Sequence, residues 1–253
     1  MPTDSPGRVV LITGAGRGIG AVTALLAAAR GYAVCVNYRS NREAAAQVVH
    51  EIVSAGGIAV AVPGDVAVEA DVARIFDTCD RALGPLTALV NNAGIVDVKA
   101  RVDEMDTARL QRMFAINVIG SFLCAREAVR RMSTKHGGHG GAIVNVSSAA
   151  SRIGSPGEYV DYAASKAAID AFTIGLSKEV ATEGIRVNAV RPGIVHTGIH
   201  ASGGQPDRID RIAPLVPMQR AGQPDEIAHA ILWLLSDEAS YTTGALLDVA
   251  GGR

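Results

Sequence analysis

Short apolar runs alternate along this chain with longer stretches of helical spacing. The runs Val9–Thr13, Ala33–Tyr38, Ile58–Val62, Ala88–Asn91, Ala142–Ser147, Arg186–Val190 and Ala245–Val249 are dominated by Val, Ile and Ala. They have strand length and little apolar/polar alternation, as expected of strands buried on both faces. Helix-like segments lie between them at Ile19–Arg30, Arg42–Ser54, Glu69–Leu83, Thr107–Ser133, Tyr159–Thr182 and Asp225–Ser236. This order predicts an α/β protein built from right-handed βαβ crossovers: a seven-stranded, mostly parallel sheet between two layers of helices. No shift in composition marks a second domain, so residues 1–253 read as one unit. The segment Gly198–Val216 interrupts the pattern with glycines, prolines and alternating charge, where a substrate lid would serve. A second loop, Lys135–Gly141, is polar and glycine-rich.

Composition narrows the function classes. Hydrophobic residues make up 48% of the 253 residues and aromatic ones only 4%, so Ala, Val, Ile and Leu must build the interior. A net charge of −1 gives no electrostatic case for nucleic acid or an acidic membrane surface. Cys35, Cys79 and Cys124 are widely spaced and odd in number, which reads as reduced thiols of a cytoplasmic protein. Met1–Gly7 has no apolar signal core, and no apolar run approaches the roughly 18 residues of a membrane span. His136 and His139 have no Cys, Asp or Glu at ligand spacing, so the sequence predicts a surface loop and no metal. His50 and His229 fall on predicted helices. His196 and His200 open the lid segment, where substrate contact is expected.

Two constellations carry chemistry. The first strand leads directly into Gly14-Ala15-Gly16-Arg17-Gly18-Ile19-Gly20 and then an Ala/Leu-rich helix. Glycines allow a tight turn and close approach to a pyrophosphate, and the helix N-terminus offers unpaired N–H groups to the anion. The expectation is a dinucleotide-binding, Rossmann-type fold. The second constellation is Tyr162 and Lys166, four residues apart on one helix face, with Ser147-Ser148 upstream. An ammonium beside a phenol favours the phenolate and draws its pKa down from about 10, making an acid/base group. Tyr159 has Ala163, not a lysine, at the same spacing.

With these motifs the chain resembles the short-chain dehydrogenase/reductase family over nearly its full length. The resemblance rests on Thr13–Gly20, Asn91-Asn92-Ala93-Gly94, Asn117 within Asn117–Gly120, the serine pair with Tyr162 and Lys166, Arg191-Pro192-Gly193 with Thr197, and the closing Gly244–Gly252. It implies a ketone/alcohol oxidoreductase. Tyr162 would be the acid/base and Lys166 its partner, also meeting the nicotinamide ribose. Ser148, the second serine of the pair, would orient the carbonyl, and Asn117 would hold a proton-relay water. The Ser148–Tyr162 segment is one residue longer than is usual in the family. Around the cofactor the resemblance implies Gly14, Gly16, Arg17, Gly18, Ile19 and Gly20 at the pyrophosphate and Asp65 with Val66 at the adenine. It places Asn91, Ala93 and Gly94 on the ribose–nicotinamide side, and Pro192, Gly193, Ile194 and Thr197 at the carboxamide.

Cofactor choice is read after the second strand, where an acidic residue selects NAD. Tyr38 holds that position and Arg39 follows it. Arg39 and Arg17 together are expected to clasp a 2′-phosphate with no nearby carboxylate to repel it, so NADP is preferred and NAD is the second choice. Expected substrate walls are Ala149, Ser151, Arg152, Gly193, Val195, His196 and the lid, with Glu158 and Tyr159 at the mouth. A 3-oxoacyl thioester, a sugar and a small ketone all stay open. The rival reading is a catalytically silent NADP-binding sensor or scaffold, which a broken catalytic set would mark. An apolar edge at Ala245–Val249, apolar surface on the preceding helix including Trp233, and the resemblance together imply a homotetramer.

Overall fold

Side-chain alternation along the first strand sets up two packed layers. In the computed structural model, which describes residues 7–253, β1 (Val9–Ile12) sends Val10 and Ile12 into one core and Val9 and Leu11 into the other. The strands β2 (Ala33–Tyr38), β3 (Ala59–Pro63), β4 (Ala88–Asn91), β5 (Gly141–Val146), β6 (Ile185–Pro192) and β7 (Leu246–Val249) complete the sheet. Its order is β3-β2-β1-β4-β5-β6-β7 and every pair is parallel, so the sheet is wholly rather than mostly parallel.

On one face lie α1 (Gly18–Ala29), α2 (Arg42–Ser54) and α10 (Pro224–Leu235), whose Ala24, Ala27, Ile52, Ile227 and Ile231 meet Val10, Val34, Val144 and Val190. On the other lie α3 (Glu69–Leu83) and α5 (Gly120–Met132), where Ile75, Phe76, Ala125 and Met132 meet Leu11, Leu89, Ile143 and Val187. The small β-branched and alanine side chains let helices approach the sheet closely. The long α7 (Val160–Val180) shares this second face through Phe172, Leu176 and Val180.

Strand order reverses between β1 and β4, which opens a crevice beyond the C-terminal strand ends. The seven strand-like runs of the sequence are the seven strands, with ends shifted by a residue or two at β1, β3, β5, β6 and β7. The helix expected over Thr107–Ser133 is two, α4 (Thr107–Phe114) and α5, joined by a π-helical turn at Ala115–Ile119. Periodicity cannot detect one wide turn inside a helix. Nor can it detect α6 (Ala150–Ile153), α8 (Ile199–Ser202) and α9 (Arg208–Ile212), which are too short for it.

Among the described residues no helix is long and apolar enough to cross a membrane, and no group of His, Cys, Asp or Glu is arranged to hold a metal. The reading of Met1–Gly7 concerns residues that, Gly7 apart, lie outside the described ones. Cys35, Cys79 and Cys124 are free and buried, and burial pushes the Cys124 thiol up to about 12.

Candidate active site

The loops following β1 to β6 converge on one cleft of about 570 Å³. Its first wall is the glycine loop. Gly14 and Gly18 take φ values of +63° and +57°, the left-handed region that glycine enters without strain. Asn92 donates to the carbonyls of Thr13 (2.8 Å) and Gly14 (3.1 Å), and Thr13 Oγ1 receives the N–H groups of Asn92 and Ala93, both at 3.0 Å. Asn37 Oδ1 accepts from the Gly14 N–H at 3.3 Å. The loop is thus fixed from both neighbouring strands before any ligand arrives. Helix α1 then begins at Gly18 with no side-chain cap and no acidic residue in its first turn. Unpaired N–H groups, a partial positive charge and a side-chain-free cradle fit a dinucleotide pyrophosphate.

The opposite end of the cleft is formed by Tyr38, Arg39, Ser40, Asn41 and Asp65. The Asp65 carboxylate lies 3.7 Å from the Arg39 guanidinium, with Arg39 mostly exposed. This corrects the expectation that no carboxylate sits nearby: β3 pairs with β2 and its end brings one in. Arg17 also lines the cleft, and its Nη1 reaches to within 3.8 Å of where a Gly198 side chain would begin.

At the floor, β5 delivers Ser147 and Ser148 beside α7. Ser147 Oγ donates to the Lys166 carbonyl at 3.1 Å and is buried, so it works as structure. Ser148 lines the cleft together with Tyr162, and its Oγ accepts from the Ala150 N–H at 3.1 Å. Lys166 Nζ donates to the Val146 carbonyl at 2.8 Å and lies 5.6 Å from the centre of the Tyr162 ring. Gly94 leaves it room, since a Cβ there would stand 3.3 Å from Nζ. Burial drives the Lys166 ammonium down to about 8, opposed by Asp170 one turn along. Burial also pushes the Tyr162 phenol above its ordinary value, with the Ser148 hydroxyl opposing. The expected downward shift from Lys166 does not appear in the free protein, where burial sets the direction for the phenol.

Residues 14–253 match the family model described as Enoyl-(Acyl carrier protein) reductase. The chain is 56% identical to the uncharacterized oxidoreductase YgfF of Escherichia coli strain K12, over 97% of this chain and 99% of that one. It is 39% identical to 3beta-hydroxysteroid dehydrogenase 1 of Eggerthella lenta, over 100% and 95%. A solved mutant of a Serratia marcescens short-chain dehydrogenase/reductase superposes with a TM-score of 0.90 at 32% identity, covering 97% of both chains. The chain belongs to the short-chain dehydrogenase/reductase family. It is an oxidoreductase acting on CH–OH groups, in a family that uses NAD(P).

Most of the residues expected at this dehydrogenase's site line the cleft: Gly14, Gly16, Arg17, Gly18, Ile19, Tyr38, Arg39, Asp65, Val66, Ala93, Gly94, Ser148, Tyr162, Lys166, Pro192, Gly193, Ile194 and Thr197. Three do not. Asn91 turns away into the sheet, donating to Asn145 Oδ1 (2.9 Å) and the Ser121 carbonyl (3.2 Å). Gly20 lies behind the loop, where a Cβ would meet Asn92 Nδ2 at 2.5 Å, so its role is packing. Asn117 sits in the π-helical turn, fully buried. Its Oδ1 accepts from the Ile95 N–H (2.8 Å), and its Nδ2 donates to the Ile95 carbonyl (3.0 Å) and Ser165 Oγ (3.1 Å). The Asn117 side chain thereby clamps the loop after Asn91–Gly94 to the helix bearing Tyr162.

On the substrate side the lid carries α8 and α9. Tyr159 donates to the Gly203 carbonyl and accepts from Gln205 Nε2, and Arg211 bonds Gln205 Oε1 at 2.5 Å. Arg208 pairs with Glu158 at 2.5 Å and lies over the Tyr159 ring at 5.1 Å. Tyr159 is therefore the residue that fastens the lid to α7. Of the expected walls, Ala149, Gly193, Val195, Tyr159 and the lid face the cleft. Ser151, Arg152, His196 and Glu158 do not line it, because the short turn α6 and the latch direct them elsewhere. Sequence reading missed Asn37 and Asn92 as loop anchors. Asn92 was visible in the motif, but its target Thr13 is 79 residues away in sequence.

Proposed function

We propose that this dehydrogenase interconverts a ketone and a secondary alcohol, with Tyr162 as acid/base and NADP(H) preferred over NAD(H). The observation that carries the reading is the meeting of Ser148, Tyr162 and Lys166 at the cleft floor, with Lys166 Nζ bonded to the Val146 carbonyl at 2.8 Å and lying 5.6 Å from the centre of the Tyr162 ring. A bound nicotinamide supplies or accepts the hydride. Ser148 Oγ donates a hydrogen bond to the substrate carbonyl oxygen and shares its developing negative charge. Tyr162 Oη delivers the proton to that oxygen, and in the reverse direction its phenolate removes it. The raised pKa of Tyr162 keeps it protonated in the free protein, ready to donate. Lys166 is the residue that would hold the ribose hydroxyls, and its ammonium would stabilise the phenolate. Asn117 holds Ile95 and Ser165 so that Tyr162 stays aligned. Arg39, with Ser40 and Asn41 beside it in the cleft lining, would hold a 2′-phosphate, and Arg17 would be the second cation.

A ring ketone or alcohol heads the substrate classes, since a relative is named for a 3β-hydroxysteroid; 3-oxoacyl thioesters and sugars follow. The exposed apolar side chains support a homotetramer. Trp233 on α10, Tyr241 and the half-covered edge strand β7 form one interface, and Ile119, Phe122 and Ile174 on the long helices form the other. The buried free cysteines fit a cytoplasmic protein. The test is NADPH and NADH consumption over a panel of ketones and 3-oxoacyl thioesters, with secondary alcohols and sugars in reverse. NADPH-dependent turnover of a ketone supports the reading, and inertness toward every carbonyl and alcohol contradicts it. Light scattering at micromolar concentration checks the assembly, where a mass near 26 kDa that does not rise with concentration excludes the tetramer.

A further inference from the structure

The turn of helix that carries Tyr162 is gripped by a buried ion pair outside the cleft. Helix α7 begins at Val160 with no side-chain cap, and Asp161 stands between that start and Tyr162. Arg109, on α4, reaches Asp161 with two N–H groups: Nε donates to Oδ2 at 2.8 Å and Nη2 to Oδ1 at 3.2 Å. The two side chains are only 10% and 1% exposed. A guanidinium fork on a carboxylate fixes angle as well as distance, which a single point contact does not. The remaining guanidinium nitrogen, Nη1, donates to the Val98 carbonyl at 2.5 Å. Val98 lies in the segment whose Ile95 and Val96 line the cleft. One side chain thus ties together α4, the first turn of α7 and a wall of the cleft.

Tyr162 is bracketed from the same side. Arg109, Met113 and Asn117 follow at four-residue steps from α4 into the π-helical turn, and Asn117 Nδ2 donates to Met113 Sδ and to Ser165 Oγ, each at 3.1 Å. Ser165 Oγ in turn donates to the Tyr162 carbonyl at 2.7 Å. Asp161 before the tyrosine and Ser165 after it are therefore both held by α4 and its continuation. Stability is not what the Arg109–Asp161 pair supplies best. Removing two charges from water costs about as much as their attraction returns, and an apolar pair of similar volume is commonly as stable. What an apolar pair lacks is direction. A proton donor must come within roughly 2.6–3.2 Å of its acceptor, and a displacement of about 1 Å can lower turnover on the order of 100-fold. A fork anchored to α4 restrains the roll and slide of the turn that carries Tyr162.

We propose that Arg109, acting through Asp161, is a positioning residue that sets where the Tyr162 hydroxyl stands against the cleft wall at Ile95 and Val96. Neither Arg109 nor Asp161 lines the cleft, so neither meets substrate or cofactor. This rests on the acid/base role proposed for Tyr162 above. The effect falls on the transfer step and spares cofactor binding, because the glycine loop is held separately by Asn37 and Asn92.

The test compares the double variant Arg109→Met with Asp161→Val, which replaces the pair by apolar side chains, with Arg109→Met alone, which strands a buried carboxylate. Thermal melting, the NADPH dissociation constant and single-turnover loss of NADPH are read on each. The substrate is the ketone or 3-oxoacyl thioester of the panel above that the parent reduces fastest. The single variant should melt roughly 10 °C below the parent. The double variant should melt within about 4 °C of the parent and hold NADPH within about threefold, yet transfer hydride roughly 10- to 100-fold more slowly. Arg109→Lys keeps the charge and loses the fork; it should fold and slow transfer at least about fivefold, and it decides the question if the double variant does not fold. The proposal is overturned if the double variant is stable and transfers hydride within about threefold of the parent, which makes the pair structural only. It is overturned too if hydride transfer and NADPH affinity fall by the same factor, or if Arg109→Lys matches the parent. A parent that reduces nothing in the panel removes the Tyr162 reading and this proposal with it. A parent inactivated by Tyr162→Phe but not by replacement of the pair removes this proposal alone.

Discussion

The two ends of the cleft are built on different principles. The glycine loop is held by Asn37, buried on β2, and by Asn92 just after β4, whose bonds reach Gly14 and Thr13. The lid is fastened through side chains of the α7 end: Glu158 to Arg208, and Tyr159 to Gln205 and the Gly203 carbonyl. A site set into the sheet keeps one geometry for a cofactor that does not vary. A site on a side-chain latch can be retuned by a few substitutions, which suits the half that chooses the substrate.

Substitutions sharpen this contrast. On the rigid side, Lys166→Met should lower turnover about 100- to 1,000-fold and weaken cofactor binding as well, because it removes the charge that meets both ribose and phenolate. Steady-state kinetics and a cofactor titration check this, and an effect under about fivefold would separate Lys166 from the chemistry. Arg39→Asp should weaken NADPH roughly 10- to 100-fold and NADH much less, since it places a second carboxylate beside Asp65 facing the phosphate. Equal shifts for the two cofactors would move the phosphate site to Arg17.

The next effect is set by pH. The Lys166 pKa falls from 10.5 to about 8 on folding, so the folded protein loses that proton first. The ammonium is present below pH 8 and lost above it. The kcat/KM for NADPH, which reports groups in the free protein, should therefore decline up to about tenfold per pH unit above 8. A profile flat to pH 9.5 would show that Lys166 keeps its charge. By the same linkage the burial penalty on Lys166 fades between pH 8 and 10.5, so this group's contribution to stability improves as pH rises through that window.

The smallest effect belongs to the latch. Tyr159→Phe should cost about 1–2 kcal/mol of stability by unpairing Gln205, and alter turnover less than about tenfold. Thermal melting and kcat decide it: a loss as deep as that of Lys166→Met would make the latch part of the chemistry.

The rigid half was also the legible half. The glycine spacing, the Tyr162–Lys166 pair and the strand-length apolar runs all depend on residues close in sequence, where spacing translates directly into geometry. What escaped depends on distant partners. Asn91 sits in a motif, yet its side chain is claimed by Asn145 across the β4–β5 register. Asp65 approaches Arg39 only because β3 pairs with β2. Asn117 was legible as a residue of interest but not as a clamp, since the π-helical turn that aims it leaves no periodic signature. The Tyr162 shift went opposite to expectation because burial, which sequence does not display, sets its direction. The lid was legible only as a break in the pattern, and its latch joins residues about 50 apart in sequence.

The central claim is that Tyr162 moves the proton while the surrounding loops only bind and orient. Turnover and cofactor affinity of Tyr162→Phe, measured on the same preparation, test it most directly. The account predicts a loss of at least about 100-fold in kcat with the cofactor dissociation constant within about threefold of the parent. Near-normal kcat in that variant would contradict it.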